Sequence, residues 1–240
     1  LCPFDYYCVT DSSVDLSRLV CTGGKYNATE LSQLYEAHKE DRFAVVQKAL
    51  DTYINDPHDC KAICFCCGIE HATSLNEMLN KYGYKSMAVT SGTRGNPDMD
   101  IVEDASGKLA RGDINYLCVA DMFNEGVDIP EVDTVLFLRP TESLTIFLQQ
   151  LGRGLRLADN KTCLTVLDFI AQAHANYNYE SRFRALMGSN NQKTSYNIKN
   201  GFPFIPAGCS IKFEPIAREY ILNNIKNYTF DKRRLIREVR

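Results

Sequence analysis

The sequence predicts an α/β fold, a parallel sheet with helices on both faces, followed by a mainly helical C-terminal extension. Three observations predict it. Apolar runs without polar alternation, at 61–66, 114–120 and 134–138, have the texture of strands buried on both faces. Stretches of helical spacing separate them. Past Phe169 the chain turns more polar and the alternation stops, so we expect a body over 1–172 and a basic, helical extension over 173–240.

In chain order, 2–9 reads as an aromatic and apolar strand. Thr22, Gly23, Gly24 and Lys25 suggest a phosphate-binding loop, but the full pattern G-x-x-x-x-G-K-[ST] fails at Leu19 and Tyr26, so the stretch reads as a plain loop. Over 41–54, Phe43, Val46, Leu50, Tyr53 and Ile54 share a helical face, which Asp56-Pro57 closes. Strands are expected at 61–66, 85–89, 114–120, 134–138 and 162–169, and helices at 70–82, within 99–109 and at 144–150. In the extension, 171–187 and 216–225 read as helices, around a Pro/Gly-punctuated segment at 201–208.

The bulk numbers narrow the class. The 240 residues are 45% hydrophobic and 24% charged, enough for a real core, and no apolar run approaches the ~20 residues of a membrane span. The start at Leu1, without a leader, suggests an excised piece of a longer chain. The net charge of -3 conceals a division: 15 Lys+Arg against 25 Asp+Glu over 1–172, and 12 against 5 over 173–240. A basic tail of that kind suits anion binding or packing on the acidic body. Ten cysteines are irregularly spaced, and the single CxxC at 64–67 lies inside a strand-like run with no second pair. That favours core packing over a zinc site and a reducing, cytoplasmic compartment.

The chemistry-bearing residues gather in a few places. The stretch QQLGRGLR (149–156) sets Arg153 and Arg156 beside Gly152 and Gly154. Glycine permits close approach of the backbone to a ligand, and arginine presents a planar donor fork to phosphate oxygens. Upstream lies FNEGVDIP (123–130). In parallel sheets ligands bind at the carboxyl ends of strands. There the sequence puts Gly68, Ser91 and Gly92, Asp121, and Arg139 with Pro140.

Together these residues resemble the second RecA-like lobe of superfamily 2 helicases of the DEAD/DEAH type. Asn124 to Pro130 looks like motif V, the stretch with Gln149, Gly152, Arg153 and Arg156 looks like motif VI, and the run ending Phe65-Cys66 looks like motif IV. Segments 132–143 and 201–209 further resemble bacterial multidomain helicases with an upstream phospholipase-D-like module and a C-terminal domain of unknown function.

The resemblance implies a function. ATP and Mg2+ would be held mainly by a first lobe. Arg153 and Arg156 would be arginine fingers, with Gln149, Gly152, Gly126 and Asp128 around the nucleotide. Thr90, Ser91, Gly92, Arg94, Asp121 and Met122 would grip a nucleic-acid backbone, DNA in preference to RNA. Many relatives have Thr where this chain has Ala120, so one hydroxyl contact is lost. No P-loop and no DEAD-like tetrapeptide occur in the 240 residues, so they are expected to be half of an ATPase site and inactive alone. A RecA-like module that binds nucleic acid or a partner without catalysis is the alternative. An NAD-binding domain is disfavoured, since no G-x-G-x-x-G follows a strand.

Overall fold

A computed structural model describes residues 2–90, 99–120, 129–141, 144–159, 161–187 and 192–238. Seven strands form one sheet, β1 (Phe4–Asp15), β4 (Ala62–Phe65), β5 (Ser86–Val89), β6 (Tyr116–Val119), β7 (Thr134–Phe137), β8 (Leu164–Gln172) and β9 (Ser210–Phe213). Their spatial order is β5-β6-β4-β7-β8-β1-β9 and every pairing is parallel. A two-stranded hairpin, β2 (Cys21–Thr22) with β3 (Lys25–Tyr26), comes after β1. Its turn residues Gly23 and Gly24 both have positive φ, which a two-residue hairpin turn of this hand requires.

Residues on the buried strands alternate between two cores. In β4, Ile63 and Phe65 enter one core with Leu117, Val119, Val135, Phe137 and Val166, while Cys64 enters the other with Cys118, Leu136 and Leu167. Cys66 and Cys67 continue the alternation beyond the strand. The CxxC residues are therefore packed in opposite directions, as strand geometry demands. Helices α2 (Lys39–Tyr53) and α3 (Ile69–Lys81) cover the Cys64 side with Phe43, Val46, Leu50, Leu75 and Leu79. The other side carries α1 (Ala28–Ala37), α4 (Met99–Arg111), α5 (Leu144–Gly154), α6 (Tyr179–Leu186), α7 (Thr194–Asn200) and α8 (Pro215–Glu238).

The extension differs from its expected form: an unexpected helix α7 forms at Thr194–Asn200, α8 runs over Pro215–Glu238 rather than 216–225, and two further differences concern the sheet. Residues 171–172 complete β8 rather than start a helix, and α6 begins only after Asn178, whose side chain accepts from the Ser181 N–H as an N-cap. Residues 210–213 add β9 to the sheet, pairing Tyr6 with Ile211 and Cys8 with Phe213. Phe183, Ile198, Phe202, Ile211, Ala217 and Ile221 share the core that holds Tyr6 and Phe147.

A buried polar cluster joins the two parts. Asp168 on β8 is fully buried; the Tyr6 hydroxyl donates to it at 2.6 Å, and the Arg182 guanidinium of α6 lies 2.8 Å from its other oxygen. Burial penalises the Arg182 charge most, but Asp168 together with the Tyr6, Tyr177 and Tyr179 side chains around it outweighs that penalty and raises its pKa. The guanidinium also stacks over Phe147 and Phe137, 4.7 and 5.2 Å from the ring centres. Arg182→Met leaves a carboxylate buried without its cation, and urea denaturation should report a loss of about 3–5 kcal/mol. The double variant Asp168→Leu/Arg182→Met should recover most of that loss. A single variant as stable as the parent would contradict the assignment.

Candidate functional site

Helix α5 carries most of the motif VI-like stretch, and it is longer than expected, reaching Gly154 rather than 150. Phe147, Gln150, Leu151 and Gly154 repeat at helical spacing and form its buried face. Thr145, Leu148, Gln149 and Gly152 lie on the outer face, where Leu148 is 44% exposed. Arg153 is half-buried in the last turn, and Arg156 is exposed two residues beyond it.

The two glycines do different work. A Cβ on Gly154 would sit 2.5 Å from a terminal carbon of Leu164, a fully buried residue at the start of β8. Only glycine lets the helix end pack so closely on the strand. Among the described residues, a Cβ on Gly152 would meet nothing within 4 Å, so none of them covers the outer face of α5 there. Gly154→Ala should therefore destabilise by about 1–3 kcal/mol through overpacking. Gly152→Ala should be neutral or stabilising by about 0.5–1 kcal/mol, because it removes a helix-interior glycine. Thermal melts of both variants check this; equal effects would remove the distinction.

The chain beyond α5 is tied down at the amino edge of the sheet. The Cys2 N–H donates to the Leu155 carbonyl at 2.9 Å, and the Leu164 N–H to the Pro3 carbonyl at 2.9 Å. Lys161 donates to the Gly154 carbonyl and, at 3.3 Å, to the Pro130 carbonyl. One ammonium thus bridges the end of the motif VI-like helix and the end of the motif V-like segment. Burial lowers the Lys161 pKa, and the nearby Asp133 carboxylate partly restores it. Asp133 in turn accepts from the Lys61 N–H at 3.0 Å and the Thr134 hydroxyl at 2.8 Å.

Thr90 lies at the opposite, carboxyl edge, half-buried directly after β5. The arginine pair and Thr90 are therefore on different edges of the sheet. Near the carboxyl end of β4, Arg42 donates to the Leu138 carbonyl at 3.0 Å and lies 3.5 Å from Asp11. Burial, with Arg42 and Arg139 nearby, pushes the His71 imidazole well below its ordinary pKa. Its Nδ1 accepts the Cys67 N–H at 3.2 Å. Sequence reasoning passes over Lys161, His71 and Arg42, because a lone Lys, His or Arg carries no pattern. Ser91, Gly92, Arg94, Asp121, Met122, Gly126 and Asp128 lie outside the described residues.

Residues 42–158 match the helicase conserved C-terminal domain family. A 51.5 kDa protein of Lactococcus phage (isolate 7-9) is 30% identical over 176 residues, which are 73% of this chain and 36% of that protein. A protein of Saccharomyces cerevisiae provisionally named ATP-dependent helicase IRC3 is 28% identical over 159 residues, 65% of this chain and 22% of its own length. The chain thus spans about a third and about a fifth of these two relatives. Among solved structures, the yeast DEAD-box splicing factor Prp28 superposes on 92% of this chain and 37% of its own, with a TM-score of 0.56 at 16% identity, a likeness of fold.

Proposed function

We propose, for a chain whose residues 42–158 match a helicase conserved C-terminal domain, that it is the second motor lobe of an ATP-dependent helicase or translocase. The observation that carries the reading is α5. It keeps Gln149 exposed and Gly152 on the same outer face, and leads directly into Arg156, with Arg153 in its last turn. Phosphoryl transfer is promoted chiefly by positioning and by positive charge on the transferring oxygens. Arg153 and Arg156 supply that charge to ATP held mainly by a first RecA-like lobe outside these residues, which also holds Mg2+. Gln149 and Gly152 line the approach, and Gly126 and Asp128 face the ribose. The Cβ position at Gly152, which no described residue meets, fits such an approach.

Nucleic acid, with DNA as the track on the family resemblance, lies across the carboxyl edge at Thr90, Ser91, Gly92, Arg94, Asp121 and Met122. Lys161 supports a coupling between the two functions, because it joins the segment ending at Pro130 to the end of α5. On this reading residues 1–240 alone do not turn over ATP. Residues 173–240 form a helical, basic C-terminal extension, within a longer bacterial, cytoplasmic protein that carries an upstream phospholipase-D-like module.

In the full-length protein, Arg153→Ala or Arg156→Ala should reduce ATP turnover about 10³-fold or more, with ATP affinity much less affected. Turnover measured under nucleic-acid-saturated conditions decides it. Unchanged turnover in both variants sinks the arginine-finger assignment.

A further inference from the structure

Residues 181–213 carry five Lys+Arg and no Asp or Glu, in a chain whose net charge is -3. Two of the five are engaged: Arg182 pairs with Asp168, and Lys212 lies 5.1 Å from the centre of the Tyr7 ring. The other three are Arg184 in the last turn of α6, and Lys193 and Lys199 on α7. They are exposed and have no ion-pair partner among the described residues.

Helix α7 gives two of these cations a common face. Thr194, Asn197 and Ile198 turn inward, and Ile198 joins the core with Phe183 and Phe202. Lys193, Tyr196 and Lys199 recur every three residues and stay outside, with Tyr196 48% exposed. Each lysine lies about 4.5 Å along the helix axis from the tyrosine. The stability of α7 does not explain Lys193. It is the N-cap residue, it makes no side-chain cap bond, and the first turn holds no acid, where a helix favours an acceptor and negative charge. Beyond α7, Gly201 and Phe202 both have positive φ, 69° and 54°, and the second is strained for an aromatic residue. That turn buries Phe202 against Phe183 and Phe213 and leaves Phe204, between Pro203 and Pro206, 62% exposed. Exposed rings and unpaired cations thus alternate along 184–204, and no side chain there is negative.

The chemistry of this segment selects its partner. An acid-free set of cations attracts a polyanion, and rings left in water between them gain by stacking. A single nucleic-acid strand offers both, with a phosphate and the face of a base at every nucleotide. A duplex keeps its bases stacked inside.

We propose that the outer face of α7 is a second contact for single-stranded nucleic acid. Lys193 and Lys199 hold phosphates, Tyr196 stacks on a base between them, and Arg184 and Phe204 extend the surface. This rests on the nucleic-acid reading given above and adds to it a contact apart from Thr90. Phe202 stacks on Phe213 of β9, so the face sits at the β9 end of the sheet, while Thr90 follows β5 at the other end. Six strand intervals of ~4.8 Å separate those ends by about 29 Å. A strand engaged at both is held at two points of the lobe, and stays bound while one of them lets go.

The test uses the full-length protein, a fluorescently labelled single-stranded DNA and the matching duplex, with affinity measured across a salt series. Lys193→Gln/Lys199→Gln should lower the slope of log affinity against log salt concentration by about 1.4, two contacts at ~0.7 each for a single strand. Tyr196→Ala should weaken single-strand binding about fivefold or more while leaving the slope and duplex binding unchanged. Tyr196→Phe keeps the ring and should bind as the parent does. All three positions are exposed, so the variants should melt with the parent. Single-strand affinity and slope unaltered in the lysine and tyrosine variants overturn the α7 contact and leave the nucleic-acid reading standing; an acidic protein as the true occupant gives that result. A loss in Tyr196→Ala that is equal for duplex overturns the stacked base. A parent protein that binds no oligonucleotide overturns both readings.

Discussion

One buried charge pair ties the parts of the structure together. Asp168 sits in the middle of β8, fully enclosed, where an isolated carboxylate is too costly to keep ionised. Arg182 supplies the countercharge from α6, and Tyr6 supplies a hydrogen bond from β1. Those contacts hold three separate parts of the chain together. The Arg182 stack on Phe147 adds a fourth, since Phe147 is the buried anchor of α5. Removing the extension would strand a carboxylate and uncover the helix that carries the arginine pair. The basic segment after 172 therefore completes the core on which the rest of the fold is built.

The same arrangement explains how a short helix can present its end with precision. Phe147 and Leu151 hold the buried face of α5. Gly154 allows contact with Leu164 that any side chain would prevent, and the backbone beyond it is pinned by Cys2 and Lys161. For the role proposed for Arg153 and Arg156, meeting charge that develops on a neighbouring lobe, a fixed backbone is required, because small displacements weaken electrostatic positioning steeply. Here rigidity comes from packing and main-chain hydrogen bonds at the amino edge. The carboxyl edge stays available for loops.

Much of the body is legible in the sequence. Strands β4, β6 and β7 are fully buried, so they lack polar alternation and stand out as apolar runs. Helices α2 and α3 announce themselves because one face of each meets a core, with Ala72, Leu75, Met78 and Leu79 at regular spacing in α3. Strand β9 escapes notice for the opposite reason. It has four residues, only Ile211 is buried, and its place is set by pairing with β1 some 200 residues earlier. The end of α5 is misjudged because glycine ordinarily stops a helix. The close packing on Leu164 that makes a helical glycine favourable is not a local property. Likewise 171–172 look helical by composition, yet the β1 ladder extends β8 through them.

Residue order alone sets the α/β class, the alternation of strands and helices, the two-sided burial of the sheet and the grouping of Arg153 and Arg156 with two glycines. These features come from local periodicity and residue chemistry, which short windows contain. It takes the assembled fold to put the arginine pair and Thr90 on opposite edges of the sheet, to bridge the segments ending at Pro130 and Gly154 through Lys161, and to satisfy Asp168 with Arg182. Those outcomes depend on strand order and on pairings between residues far apart in the chain. Contacts of that kind form only when the whole sheet closes its core, so no stretch of the sequence can display them alone.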